Sequence, residues 1–343
     1  MRALVLLGCG VLSLGVPVAV QAQEASDARL ARLEAQVDNL RWQLDQLRKI
    51  ADDNQFYLRL SDVAEVDKVI LAGKPNPRER ERYGIDNERH PIRIYSYTFV
   101  PRGLDRSRKH PAIVLTHGGV HGDFGTYHVH LVREMIARGY IVIAPEYRGS
   151  TGYGRAMYEA IDYGGLENDD VVTVRDWAVE ELPVDPRRVA AVGWSHGGMI
   201  SLMVGFDHPD KFACIYAGVP VSDLLTRLGY HEPSYTAEFA AKYHIGKPPV
   251  DDVDEYRRRS PIWHVHKLKI PLMVTSTTND RDVNVVEVEQ LITHLKAAGK
   301  AFESHIEKDA PGGHSWDRID TTFARKARLR MYEFLAKHLG TAK

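Results

Sequence analysis

Val189-Ala190-Ala191-Val192-Gly193-Trp194-Ser195-His196-Gly197-Gly198-Met199-Ile200-Ser201-Leu202 is the stretch whose reading decides the fold. A short apolar run reads as a buried strand, a glycine-bracketed serine as a sharp turn, and the apolar run after it as the start of a buried helix. A serine held on such a turn is backbone-strained, and residues two before and two after it must lack side chains that would clash. Gly193 and Gly197 meet that demand. The turn also sets Ser195 at a helix amino terminus, where N–H groups have no partner within the helix, and makes the His196 amide a candidate donor to an oxyanion. Gly-x-Ser-x-Gly alone arises often by chance; the strand and helix flanks give this one its weight.

Working outward, Ile113-Val114-Leu115-Thr116-His117-Gly118-Gly119 reads as a strand ending in a loop that lets the backbone approach a substrate carbonyl, so the Gly118 or Gly119 amide is the second candidate donor. A nucleophilic serine needs a base and an acid, and in a strand-turn-helix architecture of this kind they follow in the order Ser, acid, His. The strand Pro271-Leu272-Met273-Val274-Thr275-Ser276 runs into a loop bearing both Asp280 and Asp282. Loop position favours Asp280 and leaves Asp282 for a turn or a salt bridge to Arg281. Farther on, Phe302-Glu303-Ser304-His305-Ile306 leads to Gly312-Gly313-His314, and the glycine-containing loop makes His314 the base, with His305 structural inside the strand pattern. His121, His128 and His130 lack any metal-ligand spacing, so neither a metal nor a cofactor is expected.

Between residues 92 and 339 apolar runs alternate with helical patterns. Strands are expected at Ile92–Val100, Ala112–Thr116, Tyr140–Pro145, Val189–Trp194, Phe212–Val219, Pro271–Ser276 and Ala301–Ile306; helices at His128–Arg138, Asp170–Glu181, Met199–Phe206, Val285–Ala298 and Thr322–Leu339. Such alternation predicts an α/β protein whose mostly parallel sheet carries helices on both faces and its site at the carboxyl ends of the strands, here the α/β-hydrolase fold. The segment Asp223–Trp263 reads as an insertion over the site.

These residues resemble the catalytic domain of the prolyl oligopeptidase family of serine peptidases over roughly Ile92 to Leu339. Arg148-Gly149-Ser150-Thr151-Gly152-Tyr153-Gly154 is similar to that family's Arg-Gly-Ser-x-Gly-Tyr-Gly segment, Asp185-Pro186-Arg187-Arg188 to its lead into the nucleophile strand, Gly193-Trp194-Ser195-His196-Gly197-Gly198 to its elbow, and Asp280 with Val283 to its Asp-x-x-Val acid loop. Ser260-Pro261-Ile262 before Ile270-Pro271-Leu272 follows the same pattern. The resemblance implies peptide hydrolysis. Three departures limit it: His117 precedes Gly118-Gly119 where many members place a tyrosine, Ser276-Thr277 stands for a His-Gly pair common before the acid, and the residues before Ile92 leave no room for the β-propeller that gates peptides in size-selective members. Esters are therefore the alternative substrate class, and an inactive oligomeric scaffold is a third reading.

The first residues read as an address. Arg2, the apolar stretch Ala3–Val20 and the small-residue pattern Val20-Gln21-Ala22 predict a cleaved signal peptide over residues 1–22, hence a periplasmic or secreted protein without stable membrane insertion; Cys9 would allow a lipoprotein instead. Residues 23–55 then read as a coiled-coil helix ahead of a catalytic domain over residues 56–343. Leu30, Val37, Leu44 and Ala51 occupy one seam position, Leu33, Leu40 and Leu47 the other, and Glu34, Arg41 and Arg48 flank them, which favours a homo-oligomer; a helix docked on its own catalytic domain is the other reading. With 45 Lys and Arg against 46 Asp and Glu, the chain has no field for nucleic acid or an anionic membrane surface. Of its 2 cysteines, Cys214 sits in an apolar run and is expected to be a buried strand thiol, leaving the mature protein without an internal disulfide.

Overall fold

The computed structural model describes residues 18–78 and 91–340. Cys9 and the expected signal peptide as far as residue 17 lie outside the described residues. The chain divides into two compact units, Met1–Leu44 and Asp45–Lys343.

Helix α1, Val18–Leu60, opens the described chain. In the first unit Leu30, Leu33, Val37, Leu40 and Leu44 of the heptad pattern are all exposed. In the second unit α1 carries a different apolar stripe. Lys49, Phe56 and Leu60 recur at helical spacing and are buried, whereas Leu47 and Leu58 remain exposed. The Phe56 ring lies among Tyr97, Phe99 and Phe124 at centroid distances of 4.9, 5.6 and 5.6 Å. The last turns of α1 therefore belong to the core of the second unit, which runs from Asp45.

The rest of the second unit follows the expected alternation. In chain order come β1 (Ala64–Ala72), β2 (Arg93–Pro101), β3 (His110–Thr116), α2 (Val129–Ile136), β4 (Ile141–Glu146), α3 (Arg155–Glu159), α4 (Leu166–Glu181), β5 (Val184–Trp194), α5 (His196–Asp207) and β6 (Cys214–Gly218). The insertion contributes α6 (Leu224–Tyr230), α7 (Pro233–Ala240) and α8 (Val253–Arg258); β7 (Leu272–Thr277), α9 (Val285–Ala297), β8 (Glu303–Glu307) and α10 (Thr322–Leu339) close the chain. The 8 strands form one sheet in the order β1-β2-β4-β3-β5-β6-β7-β8. Pairing from β4 through β3, β5, β6 and β7 to β8 is parallel, and β1 and β2 add an antiparallel edge. Strand β1 was not foreseen. It begins in alternation at Ala64-Glu65-Val66-Asp67, which Lys68 and the run Val69-Ile70-Leu71 then break, and its charges suit an edge strand that must not recruit further strands.

Alternation along the central strands feeds two cores. Ile113, Leu115, Ala190 and Val192 pack with Phe56 and Leu60 of α1, with α2 and with α10. Ala112, Val114, Val189 and Ala191 pack with α4 and α5 on the other face. Cys214 is buried on β6 as expected, and burial pushes its thiol pKa up to about 12.

Phe56 is fully buried and Leu40 exposed, so the two should respond differently to truncation. Phe56→Ala is expected to cost roughly 3–5 kcal/mol in urea unfolding of the catalytic unit, while Leu40→Ala leaves that transition within about 0.5 kcal/mol.

Candidate active site

Strand β5 ends at Trp194 and α5 begins at His196, so Ser195 alone makes the turn, with φ 60° and ψ −124°. A non-glycine residue held there costs of order 1–3 kcal/mol and persists only where its surroundings enforce it. The enforcement is visible. The Ser195 N–H donates to the Gly218 carbonyl at 2.9 Å, and the Ser195 carbonyl accepts from Met199 at 3.0 Å and Val221 at 3.2 Å. A Cβ on Gly193 would stand 2.2 Å from the Gly197 carbonyl oxygen, and one on Gly197 would stand 2.2 Å from that of Thr116. Any side chain at either place would open the turn.

The two candidate oxyanion elements are tied together. His196 is the first residue of α5, so its N–H has no helical partner, and its ring Nδ1 lies 2.8 Å from the Gly119 carbonyl. The same ring stacks on Tyr163 at 3.9 Å, and its Nε2 is 3.3 Å from the carboxylate of buried Glu167. Gly118 passes so close to the elbow that a Cβ there would meet Ser195 Cβ at 3.2 Å and the Trp194 carbonyl oxygen at 2.9 Å. Gly119 takes φ +95°, a conformation that favours glycine.

Asp280 and Asp282, which compete in the sequence, both face His314. The Asp280 carboxylate is buried, accepts the backbone N–H groups of Asp282 and Val283 at 2.9 Å each, and holds His314 Nδ1 at 2.8 Å. Asp282 is half exposed; its carboxylate lies 3.5 Å from His314 Nε2 and 3.0 Å from Arg227 of the insertion. Burial alone would raise the Asp282 carboxyl, but His314 and Arg227 offset it and hold the group below the usual carboxylate range. Among the described residues no hydrogen bond joins His314 to the Ser195 hydroxyl in this resting arrangement. Their loops are nevertheless fastened to each other: the Trp194 indole N–H, next to Ser195, donates to Asp317 at 2.8 Å, and the Tyr216 hydroxyl donates to the same oxygen at 2.8 Å.

Asp317, Glu167 and Arg227, which contact Trp194, His196 and Asp282, are not singled out by the sequence. None sits in a recognisable spacing; the one available signal was Asp317, three residues beyond His314. The remaining histidines each have separate work. His121 stacks on Tyr158 and meets the Gly149 carbonyl, His128 stacks on Phe124 and meets that of Gly125, and His130 meets that of Arg318. His305 lies in β8 against Glu307, at 2.6 Å. An open cavity of about 600 Å³ adjoins His314, lined also by His231, Asn279, Arg281 and Asp282.

Set beside known proteins, this arrangement has a family. The sequence pattern of the prolyl oligopeptidase family matches residues 127–342. The chain belongs to the prolyl oligopeptidase family. It is 30% identical over 262 residues to a dipeptidyl aminopeptidase BIII of Pseudoxanthomonas mexicana, covering 72% of this chain and 37% of that protein. It is 25% identical over 275 residues to an acylamino-acid-releasing enzyme of Arabidopsis thaliana, covering 78% and 34%. Among solved structures, a puromycin-hydrolysing peptidase of Mycobacterium tuberculosis superposes with a TM-score of 0.65 at 23% identity, over 81% of this chain and 40% of that one. The chain spans about a third of the length of the curated relatives it matches.

Burial sets a pH response. It lowers the pKa of His121 to about 4 and of His128 to about 3, from an ordinary 6.5. Both stay neutral in the fold while the unfolded chain takes up protons. The stability they contribute is therefore full above pH 6.5 and lost as pH falls towards those values. Each group should remove roughly 1.4 kcal/mol per pH unit in that window. Urea titrations between pH 7 and 4 should show the loss, and His128→Phe should reduce its slope while leaving the share of His121.

Proposed function

We propose that this chain is a serine hydrolase acting through an acyl-enzyme. Ser195 Oγ attacks a carbonyl carbon as His314 takes its proton, Asp280 orients the imidazole and stabilises its charged form, and the His196 amide with that of Gly118 or Gly119 receives the oxyanion. The imidazolium then protonates the leaving group, and water repeats the sequence to release the acid. The observation that supports this reading most is the pairing of buried Asp280 with His314, on a loop held by the Trp194–Asp317 bond beside a serine at φ 60°. His314 Nε2 must leave Asp282 and turn to Ser195, an adjustment of the kind that substrate binding brings about in resting sites.

Peptides are the proposed substrate class, because the family and the named relatives are peptidases; small esters are the alternative, since the same groups cleave a better leaving group. Export to the periplasm or beyond is proposed from Arg2, Ala3–Val20 and Val20-Gln21-Ala22. Self-association through α1 is proposed from the exposed residues Leu30, Leu33, Val37, Leu40 and Leu44.

A fluorophosphonate should label the protein, and Ser195→Ala should abolish labelling and lower turnover by about a millionfold. Asp280→Asn should lower kcat by about ten-thousandfold, and Asp282→Asn far less; the reverse order would move the acid to Asp282. Peptide p-nitroanilides against acyl p-nitrophenyl esters decide the substrate class. Paired substitution Leu33→Lys with Leu40→Lys should reduce the mass measured by light scattering to that of one chain, and an unchanged mass would remove the seam from the account.

A further inference from the structure

Glu146 ends β4 and is fully buried, a position where an unpaired carboxylate is heavily penalised. Its partner comes from α1. Lys49 Nζ lies 2.5 Å from Glu146 Oε1, 2.8 Å from the Phe124 carbonyl and 3.2 Å from Asp123, with 2% of its side chain exposed. The ammonium also sits 4.9 Å from the Tyr97 ring centre and 5.8 Å from that of Tyr153. Burial disfavours both charges, yet each holds the other: the Glu146 carboxyl stays below its ordinary range and the Lys49 ammonium above its own.

The other Glu146 oxygen leads to the site. Oε2 accepts the Phe124 N–H at 3.1 Å and lies 3.3 Å from His117 Nε2. The His117 ring stacks on Tyr147 at 4.2 Å and meets Ser150 Oγ at 3.0 Å, while the Tyr147 hydroxyl donates to the His117 carbonyl at 3.0 Å. His117 immediately precedes Gly118, the residue packed against Ser195. The Arg148–Gly154 segment thereby has a use beyond its resemblance. A Cβ on Gly152 would meet Lys49 Cβ at 2.6 Å, one on Gly154 would meet Gln46 Nε2 at 2.7 Å, and the Gly152 N–H donates to Asp45 at 2.7 Å. The segment is a saddle in which α1 lies.

We propose that Lys49 is a positioning residue for the oxyanion loop: its ammonium fixes Glu146, Glu146 fixes the His117 ring, and the ring sets the direction of the Gly118 and Gly119 amides. The inference rests on the proposed roles of Ser195 and of those amides. Such a residue acts on the transition state, where negative charge develops, and leaves ground-state binding alone.

The test uses the full-length chain, a peptide p-nitroanilide or p-nitrophenyl ester that it turns over, and a peptide boronic acid as transition-state analogue. Lys49→Met should lower kcat by roughly tenfold to a hundredfold with KM within about twofold, and weaken the boronic acid by a similar factor. Phe56→Leu, a lesion in the same helix that does not touch Glu146, should lower Tm and leave kcat unchanged. Should Lys49→Met fail to fold, Lys49→Met with Glu146→Gln removes both buried charges, and a kcat still lowered at unchanged KM supports the proposal. A wild-type kcat in the folded Lys49 variant, a change in KM alone, or an equal kcat loss in Phe56→Leu would overturn it. Ser195→Ala keeps the two failures apart: if that variant still turns substrate over, the reading of the site itself falls, whereas an inactive Ser195→Ala beside a fully active Lys49→Met removes only Lys49 from the account.

Discussion

A serine held at φ 60° between a strand and a helix leaves no room for a side chain two residues to either side, and the arrangement around it follows from that constraint. Gly193 and Gly197 close the turn, Gly118 brings the β3 loop up against Ser195, and Gly218 yields its carbonyl to the Ser195 N–H. Of the four glycines, Gly193 and Gly218 come from the adjacent strands β5 and β6, Gly118 from the loop after β3 and Gly197 from the start of α5. Their contacts bring the carboxyl end of β5 into register with those of β3 and β6, which is where the loops bearing chemistry emerge.

That constraint is local in sequence, which is why it could be read there. Strand, turn and helix lie within fourteen consecutive residues, and each glycine declares its reason by its distance from the serine. The alternating apolar runs were readable for a similar reason. Seven strands lie within a few residues of their expected bounds, and the central ones, β3 to β7, are easiest to read because they are buried on both faces over their apolar runs. The loop containing Asp280 and Asp282 was only half legible. Both carboxylates contact His314, and what separates them is burial together with the backbone N–H groups that Asp280 collects, a property of the folded turn rather than of residue type.

The parts that escaped the sequence are those joined across long separations. Asp317 meets Trp194 because the end of β5 and the loop after β8 converge across 123 positions of chain. Helix α1 carries two patterns in one stretch. Its leucines write a heptad so plainly that the second stripe, Lys49, Phe56 and Leu60, was hidden beneath it, and a lysine is not counted among core residues until its carboxylate partner is known. Edge strand β1 escaped because the alternation that Ala64-Glu65-Val66-Asp67 begins is broken after four residues by Lys68 and Val69-Ile70-Leu71, although its charges suit an edge.

The saddle also bears on the order of assembly. A ribosome releases α1 before any strand of the sheet exists, so Phe56 and Lys49 emerge with nothing to cover them; Asp123 follows Lys49 by 74 positions and Glu146 later still. Contacts of that span are slow to close because the chain between must first surrender its freedom. The helix can complete its contacts only once the chain as far as Glu146 has been made, and without it that carboxylate lacks its buried ammonium partner.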